Sequence, residues 1–370
     1  MLPQAQPDQE LVVRGRPLPF SFFPVRAGQG GTVVADSLFA KSPWGLMEAV
    51  ITNGAQAASA PEEARAFLRQ ARSFYAAAND QPSSNPLLYY YAFLNLGKAL
   101  LLVRGVPSPL AQARHGISEQ YSGAGADPRN SRIVVVNTNG LNVFAELVDR
   151  LGYQRPTAGT LYRVTDLFPQ VAIGHRLWRE ATGGAERFVG LDAMQFARNS
   201  TAKTLRLRLY FRSADLTRYG ITHTRLLTAS GLNQRFRQVV SPVDPDGTVC
   251  LEQLAPVPYL GRRPTDVVAQ LVEPMRERLW PIVTSGPPYR KYYSYLAPAR
   301  TQATPQIATL WLLFYYLGSI VRYRPHLFEA LAQGPYGALV ADFIAAQPEQ
   351  LLYLLASEMC RREVAKPAIV

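Results

Sequence analysis

The chain has 370 residues, of which 48% are hydrophobic and 18% charged, and this balance excludes a disordered or low-complexity protein and predicts one or two domains with a real core. Its net charge of +12 is carried almost wholly by arginine, since only Lys41, Lys98, Lys203, Lys291 and Lys366 are lysine. Arginine grips phosphate and stacks on rings, so the excess fits a nucleic-acid partner; GC-rich coding produces the same excess. The two cysteines, Cys250 and Cys360, lack CxxC spacing, which argues against a disulfide framework or a zinc site and predicts a cytoplasmic protein. The N-terminus lacks the basic-then-apolar pattern of a signal peptide.

Residues 1–43 are rich in proline and glycine and read as an irregular, extended segment. Residues 44–184 read as mainly helical. Trp44 to Asn53 is a short helix, and Ala60 to Asn79 a longer one, with Ser59 as its expected cap and Pro61 at its first position. After a linker that includes Pro82 and Ser83, Pro86 to Arg104 forms a helix apolar on nearly every side, making an antiparallel hairpin with its predecessor. Asn95 and Lys98 interrupt it, three residues apart on one face. A buried amide and ammonium need partners, so they are either structural contacts or the floor of a site. His115 follows in a loop beside Arg114. Arg132 to Val136 reads as a strand and Leu141 to Leu151 as a helix, with two short helical regions between Leu161 and Glu180.

From residue 185 to 258 the hydrophobic period shortens toward two, which predicts a β-rich insert. Its best strand is Leu205 to Arg212, with leucines on one face and Arg206, Arg208, Tyr210 and Arg212 on the other. That polar face is either a solvated sheet surface or a backbone-binding surface for nucleic acid. Residues 259–370 read as helical again. Pro264 to Trp280 is a predicted helix, and Thr284 to Arg300 a loop in which Tyr289, Arg290, Tyr292, Tyr293 and Tyr295 alternate basic and aromatic character. Such interleaving suits single-stranded nucleic acid. Thr304, as the expected cap, and Pro305 at the first position open a second apolar helix that runs to Pro325, interrupted at Gly318 and Ser319. Neither apolar run is an uninterrupted span, so both read as core helices and no membrane partner is expected. Two more helices, PHLFEALAQG and roughly Gln347 to Arg362, complete the chain.

The expected fold class is therefore α+β: helical N- and C-terminal thirds packed through two apolar helices, as one compact unit, with a β-rich middle insert. The strings PLLYYYAFLNLGKALLL, His115-Gly116 and YYLGSIVRYRPHLFEAL resemble the YaaC-like family of bacterial proteins over about residues 40–355. Arg322-Tyr323-Arg324-Pro325-His326 is similar to the arginine-then-histidine signature of the HEPN ribonucleases. In that superfamily four to six residues separate the pair; here three do, and one is proline. That resemblance implies Arg322 as a phosphate stabiliser and His326 as acid/base.

No GxSxG, HExxH, Walker or strand–GxGxxG pattern occurs, and no metal or cofactor is expected. Two functions remain open, with a small-molecule pocket lined by Tyr91, Asn95, Lys98 and Arg322 as a third alternative. One is a non-catalytic nucleic-acid-associated or partner-binding protein of a bacterial multi-gene system, such as one for phage defence, with a protein partner from the same operon. Its binding residues would be Asn95, Lys98, His115, Arg206, Arg208, Arg290 and Arg324. The other is an HEPN-like, metal-independent ribonuclease using Arg322 and His326.

Overall fold

The computed structural model describes every residue except 1, 54–58, 82–83, 111, 122–126, 300–302 and 368–370. Pro82, Ser83 and Arg300, which fell in predicted loops, lie outside the described residues. The class is α+β. The chain divides into two units, residues 1–38 with 186–303 and 361–365, and residues 39–185 with 304–360 and 366–370. It is thus not the single compact unit expected. Residues 259–303 belong with the strands and not with the C-terminal helices.

The helical unit is organised on the first apolar helix, Asn85–Val103. Length and apolarity would suit a bilayer span, yet most of this helix is buried inside the unit. It forms a hairpin with Pro61–Asp80, whose apolar stripe meets it through Phe74 on Tyr91 and Tyr75 on Tyr89. Ser59 does not cap that helix, which begins after Ala60; its hydroxyl instead donates to the Val106 carbonyl at 2.5 Å. The second apolar helix, Gln306–Tyr323, packs across the first where both have glycine. The Trp311 ring lies over Gly97, and Gly318 faces the backbone of Pro86 and Leu87. Phe93 and Phe314 meet beside this crossing at 5.0 Å between ring centroids. Thr304 is no cap here either: Pro305 occupies the N-cap position, and the Thr304 amide donates to Gln170 Oε1 at 2.7 Å.

A third long helix, Gly337–Cys360, carries Pro348 inside it. Glu358 near its end receives Arg104 from the end of the first apolar helix at 3.0 Å. A small antiparallel sheet of Ile117–Tyr121, Ser131–Val135 and Leu161–Arg163 completes this unit's framework.

The other unit is built on an antiparallel sheet in the order Gln9–Glu10, Ala193–Asn199, Thr204–Arg212, Thr248–Gln253, Phe236–Val239, with Val257–Pro258 also pairing with the central strand. Alternation decides its faces: Leu205, Leu207, Leu209 and Phe211 enter the core with Phe196 and Leu251. A second sheet pairs Phe188–Gly190, Arg290–Tyr295 and Leu279–Val283. Two expectations fail here. The predicted helix Pro264 to Trp280 is a helical turn, Val268–Val272, flanked by 3-10 turns, with Trp280 already in a strand. Within the predicted tyrosine-rich loop, Arg290–Tyr295 is instead the central strand of this sheet. Its side chains alternate, with Arg290, Tyr292 and Ser294 buried and Lys291 exposed.

Candidate functional site

The predicted site residues fall into three places. In the strand unit, Arg208 is buried and stands directly opposite Glu252 in the sheet register. Its Nη2 lies 3.0 Å from Glu252 Oε2, and the same carboxylate takes Arg237 at 3.4 Å and the Gln6 amide at 3.1 Å. Arg206 pairs with Asp8 at 3.2 Å, and Arg212 with Asp192. Arg290 is buried, 2.9 Å from Glu363 and 3.0 Å from the Val364 carbonyl. At Arg206 and Arg208 the arginine face of the central strand is therefore covered and paired, whereas Arg212, at the strand end, pairs with Asp192 and stays exposed. Arg208 and Arg290 are held as structural ion pairs.

The second place surrounds Glu119 in the helical unit. Its side chain is 4% exposed. One carboxylate oxygen accepts from Ser319 Oγ and from Arg324 Nη2, the latter at 3.2 Å. The Arg324 guanidinium also lies 3.4 Å above the Tyr121 ring. Burial raises the Glu119 pKa above the usual carboxylate range, while Ser319, Tyr121 and Arg324 pull it back. Ser319 and Arg324 thus belong to a packed polar cluster beneath the end of the second apolar helix.

The third place gathers Lys98, His115 and Arg322, with Arg114 beside them. Lys98 comes from the first apolar helix, Arg322 from the last turn of the second, and Arg114 with His115 from the segment entering the strand Ile117–Tyr121. That segment is held by local geometry. Gly116 has φ +82°, and a Cβ there would fall 1.8 Å from Asn142 Oδ1, so only glycine fits. Asn142 caps the helix Val143–Arg150 through the Ala145 amide and donates Nδ2 to the Gly116 and Val136 carbonyls. The Arg114 amide donates to the Leu141 carbonyl at 2.9 Å. Gly116→Ala is expected to destabilise the unit by about 2 kcal/mol through the left-handed backbone and the clash, read as a lower denaturant midpoint at unchanged m.

Around this segment the charges converge. The His115 ring lies 5.7 Å from the Tyr315 ring. His115 keeps solvent contact, yet crowding of its imidazole lowers the pKa, and the positive charges of Arg114, Arg322 and Lys98 lower it further. Arg322 Nη1 donates to the Tyr91 hydroxyl at 2.5 Å, and its guanidinium lies 5.0 Å from the ring of Tyr323, which is 65% exposed. Lys98 lies 5.1 Å from the Phe67 ring; burial lowers its pKa and nearby Glu63 raises it. Asn95 stands apart: it is buried, and its amide donates to the Tyr91 carbonyl of its own helix at 3.0 Å. His326 is exposed in the first turn of the helix Pro325–Gln333. The backbone of Arg324, at φ −149° and ψ 59°, separates that helix from the one carrying Arg322.

A family profile described as YaaC-like Protein matches residues 35–359. The chain belongs to the YaaC-like family. No curated protein matches it. All three chain segments of the basic cluster fall within the matched region of this YaaC-like chain, as do Glu119 and Asn142. Sequence reasoning passed over Glu119, Tyr121, Tyr315 and Asn142. The available signal was the two-residue spacing of Ile117, Glu119 and Tyr121 for the first two and the Asn-before-helix pattern for the last. Among the described residues, no group of three or more histidine, cysteine, aspartate or glutamate side chains is gathered as a metal site.

Proposed function

We propose that this protein is a non-catalytic nucleic-acid-binding protein that takes single-stranded RNA at the surface of Lys98, Arg114, His115, Arg322 and Tyr323. The observation that carries this reading is the convergence of four basic side chains from three chain segments beside an exposed tyrosine. Arg114 and Arg322 have no carboxylate partner among the described residues, while Glu63 offsets Lys98 in part. Unpaired guanidinium groups hold phosphate, and a ring beside them stacks a base without reading its identity.

The test is fluorescence anisotropy of a labelled single-stranded RNA pool at two salt concentrations. Arg114→Glu with Arg322→Glu is expected to weaken binding by more than about tenfold and to flatten the salt dependence by roughly one unit of slope per lost phosphate contact. Arg218→Glu with Arg225→Glu, the same charge change on two exposed arginines of the other unit, serves as the control. Acidification charges His115, so affinity is expected to rise as pH falls below the ordinary histidine range, and this gain should vanish in His115→Gln. Wild-type protein that binds no RNA at low salt overturns the reading.

A second reading is metal-independent RNA cleavage by Arg322 and His326. The break at Arg324 places these two on separate helices, and the His115 imidazole lies within electrostatic reach of Arg322. A lowered pKa leaves His115 neutral at pH 7, the form a general base requires. Incubation of the same RNA pool and tRNA with wild type, His326→Ala and His115→Ala separates the cases. Cleavage abolished only by His326→Ala would replace binding with the HEPN-like reading. Cleavage abolished only by His115→Ala would place a nuclease at the basic cluster instead.

A further inference from the structure

A cleft of about 390 Å³ lies in the strand unit and shares no residue with the basic cluster. Its walls include Gly231, Glu277, Arg278, Trp280, Tyr295 and Ala299; the Glu277 carboxylate is exposed and makes no ion pair with Arg278. That volume falls in the range of small-molecule sites. Arg278 is half-buried, and no carboxylate or carbonyl among the described residues takes its guanidinium. Its seat is specific: Gly231, at φ +68°, has no Cβ, and one placed there would come within 2.3 Å of Arg278 Nη1.

The ordinary role for such an arginine is to satisfy the carbonyls that end a helix, here His223–Ala229. Those carbonyls are already used. The Leu226 and Leu227 oxygens accept from Ser230 Oγ, at 2.5 and 3.2 Å. The Thr228 oxygen accepts from the Gly231 amide at 3.2 Å and the Ala229 oxygen from the Ala297 amide at 2.9 Å. A guanidinium carries five N–H donors, and those of Arg278 are left for solvent or a ligand in the cleft. Glycine at 231 admits the guanidinium there.

We infer that this cleft is a binding site for a small organic or inorganic anion, a carboxylate or a phosphate, gripped by Arg278. Any apolar portion of the ligand would lie along Ala297, Pro298 and Ala299, which leave the cleft unfilled. The inference is independent of RNA binding, since none of its residues belongs to the basic cluster.

The test is isothermal titration of the full chain with inorganic phosphate, acetate and benzoate. Wild type is expected to bind at least one of them saturably, and Arg278→Met to weaken that binding about tenfold or more, as loss of a charge-assisted pair requires. Because Arg278→Met also alters a half-buried position, Ala299→Trp provides a second variant: Ala299 is exposed, so an indole there obstructs the cleft without entering the core. Uptake of phosphate alone or of the carboxylates alone supports the site and identifies its headgroup. No saturable uptake of any probe, or binding unchanged in both variants, overturns it.

Discussion

Glu252→Ala is expected to lower folding stability by about 4 kcal/mol, because removing one member of a buried ion pair strands the other. Glu252 is completely buried and Arg208 nearly so, with cross-strand geometry bringing Nε and Nη2 to 3.1 and 3.0 Å from one carboxylate oxygen. The same carboxylate anchors the N-terminal segment through the Gln6 amide, while Arg208 Nη2 donates to the Gln6 carbonyl. Loss of Glu252 therefore leaves a guanidinium in the sheet and unties that segment. The double variant Arg208→Met with Glu252→Leu removes both charges and keeps the volume, so it should recover most of the loss. Urea unfolding with matched m-values measures all three. A Glu252→Ala penalty below about 1 kcal/mol would show that water reaches this pair and that the strand face is not sealed.

Trp311→Ala is expected to lower stability by about 4 kcal/mol, from lost apolar burial and the cavity left at the helix crossing. Trp311 is 1% exposed, and its six-membered ring would lie 2.5 Å from a Cβ on Gly97. Its indole N–H is buried without an acceptor among the described residues. Trp311→Phe removes that orphaned donor and should therefore cost much less than alanine, about 1–2 kcal/mol. The contact also predicts coupling. Gly97→Ala alone forces the large ring aside, whereas Gly97→Ala in the Trp311→Phe background meets a smaller one. The double variant should be more stable than the sum of the singles predicts, by about 1 kcal/mol. Strict additivity by thermal or urea unfolding would remove the steric account of this crossing.

These two sites show where sequence reasoning stops. The period of Leu205 to Arg212 determined that it is a strand with leucines inward, because side chains on a strand alternate regardless of what surrounds them. The period could not say what covers the other face. That was decided by Asp8, Gln6 and Glu252, between 44 and 202 residues away in the chain. Likewise, the near-uniform apolarity of Asn85–Val103 and Gln306–Tyr323 marked both as interior helices. Only the packing showed that Gly97 and Gly318 are where the two approach.

Errors followed the same boundary. Ser59 and Thr304 have the chemistry of caps, but their neighbours offered better partners in Val106 and Gln170. Arg290–Tyr295 alternates as a strand should, yet its arginine and tyrosines resembled a binding loop until Glu363 was seen to neutralise Arg290. Lys98, His115 and Arg322 were legible as polar residues in or beside apolar helices. Their convergence was not, because it depends on the Gly116–Asn142 junction turning one segment toward the ends of two helices. The sequence by itself determined the α+β class, the interior helices and the alternating strand, all consequences of local period and burial. Tertiary structure decided which charges are spent on partners and which remain available, because an ion pair is a contact between distant residues and leaves no periodic trace.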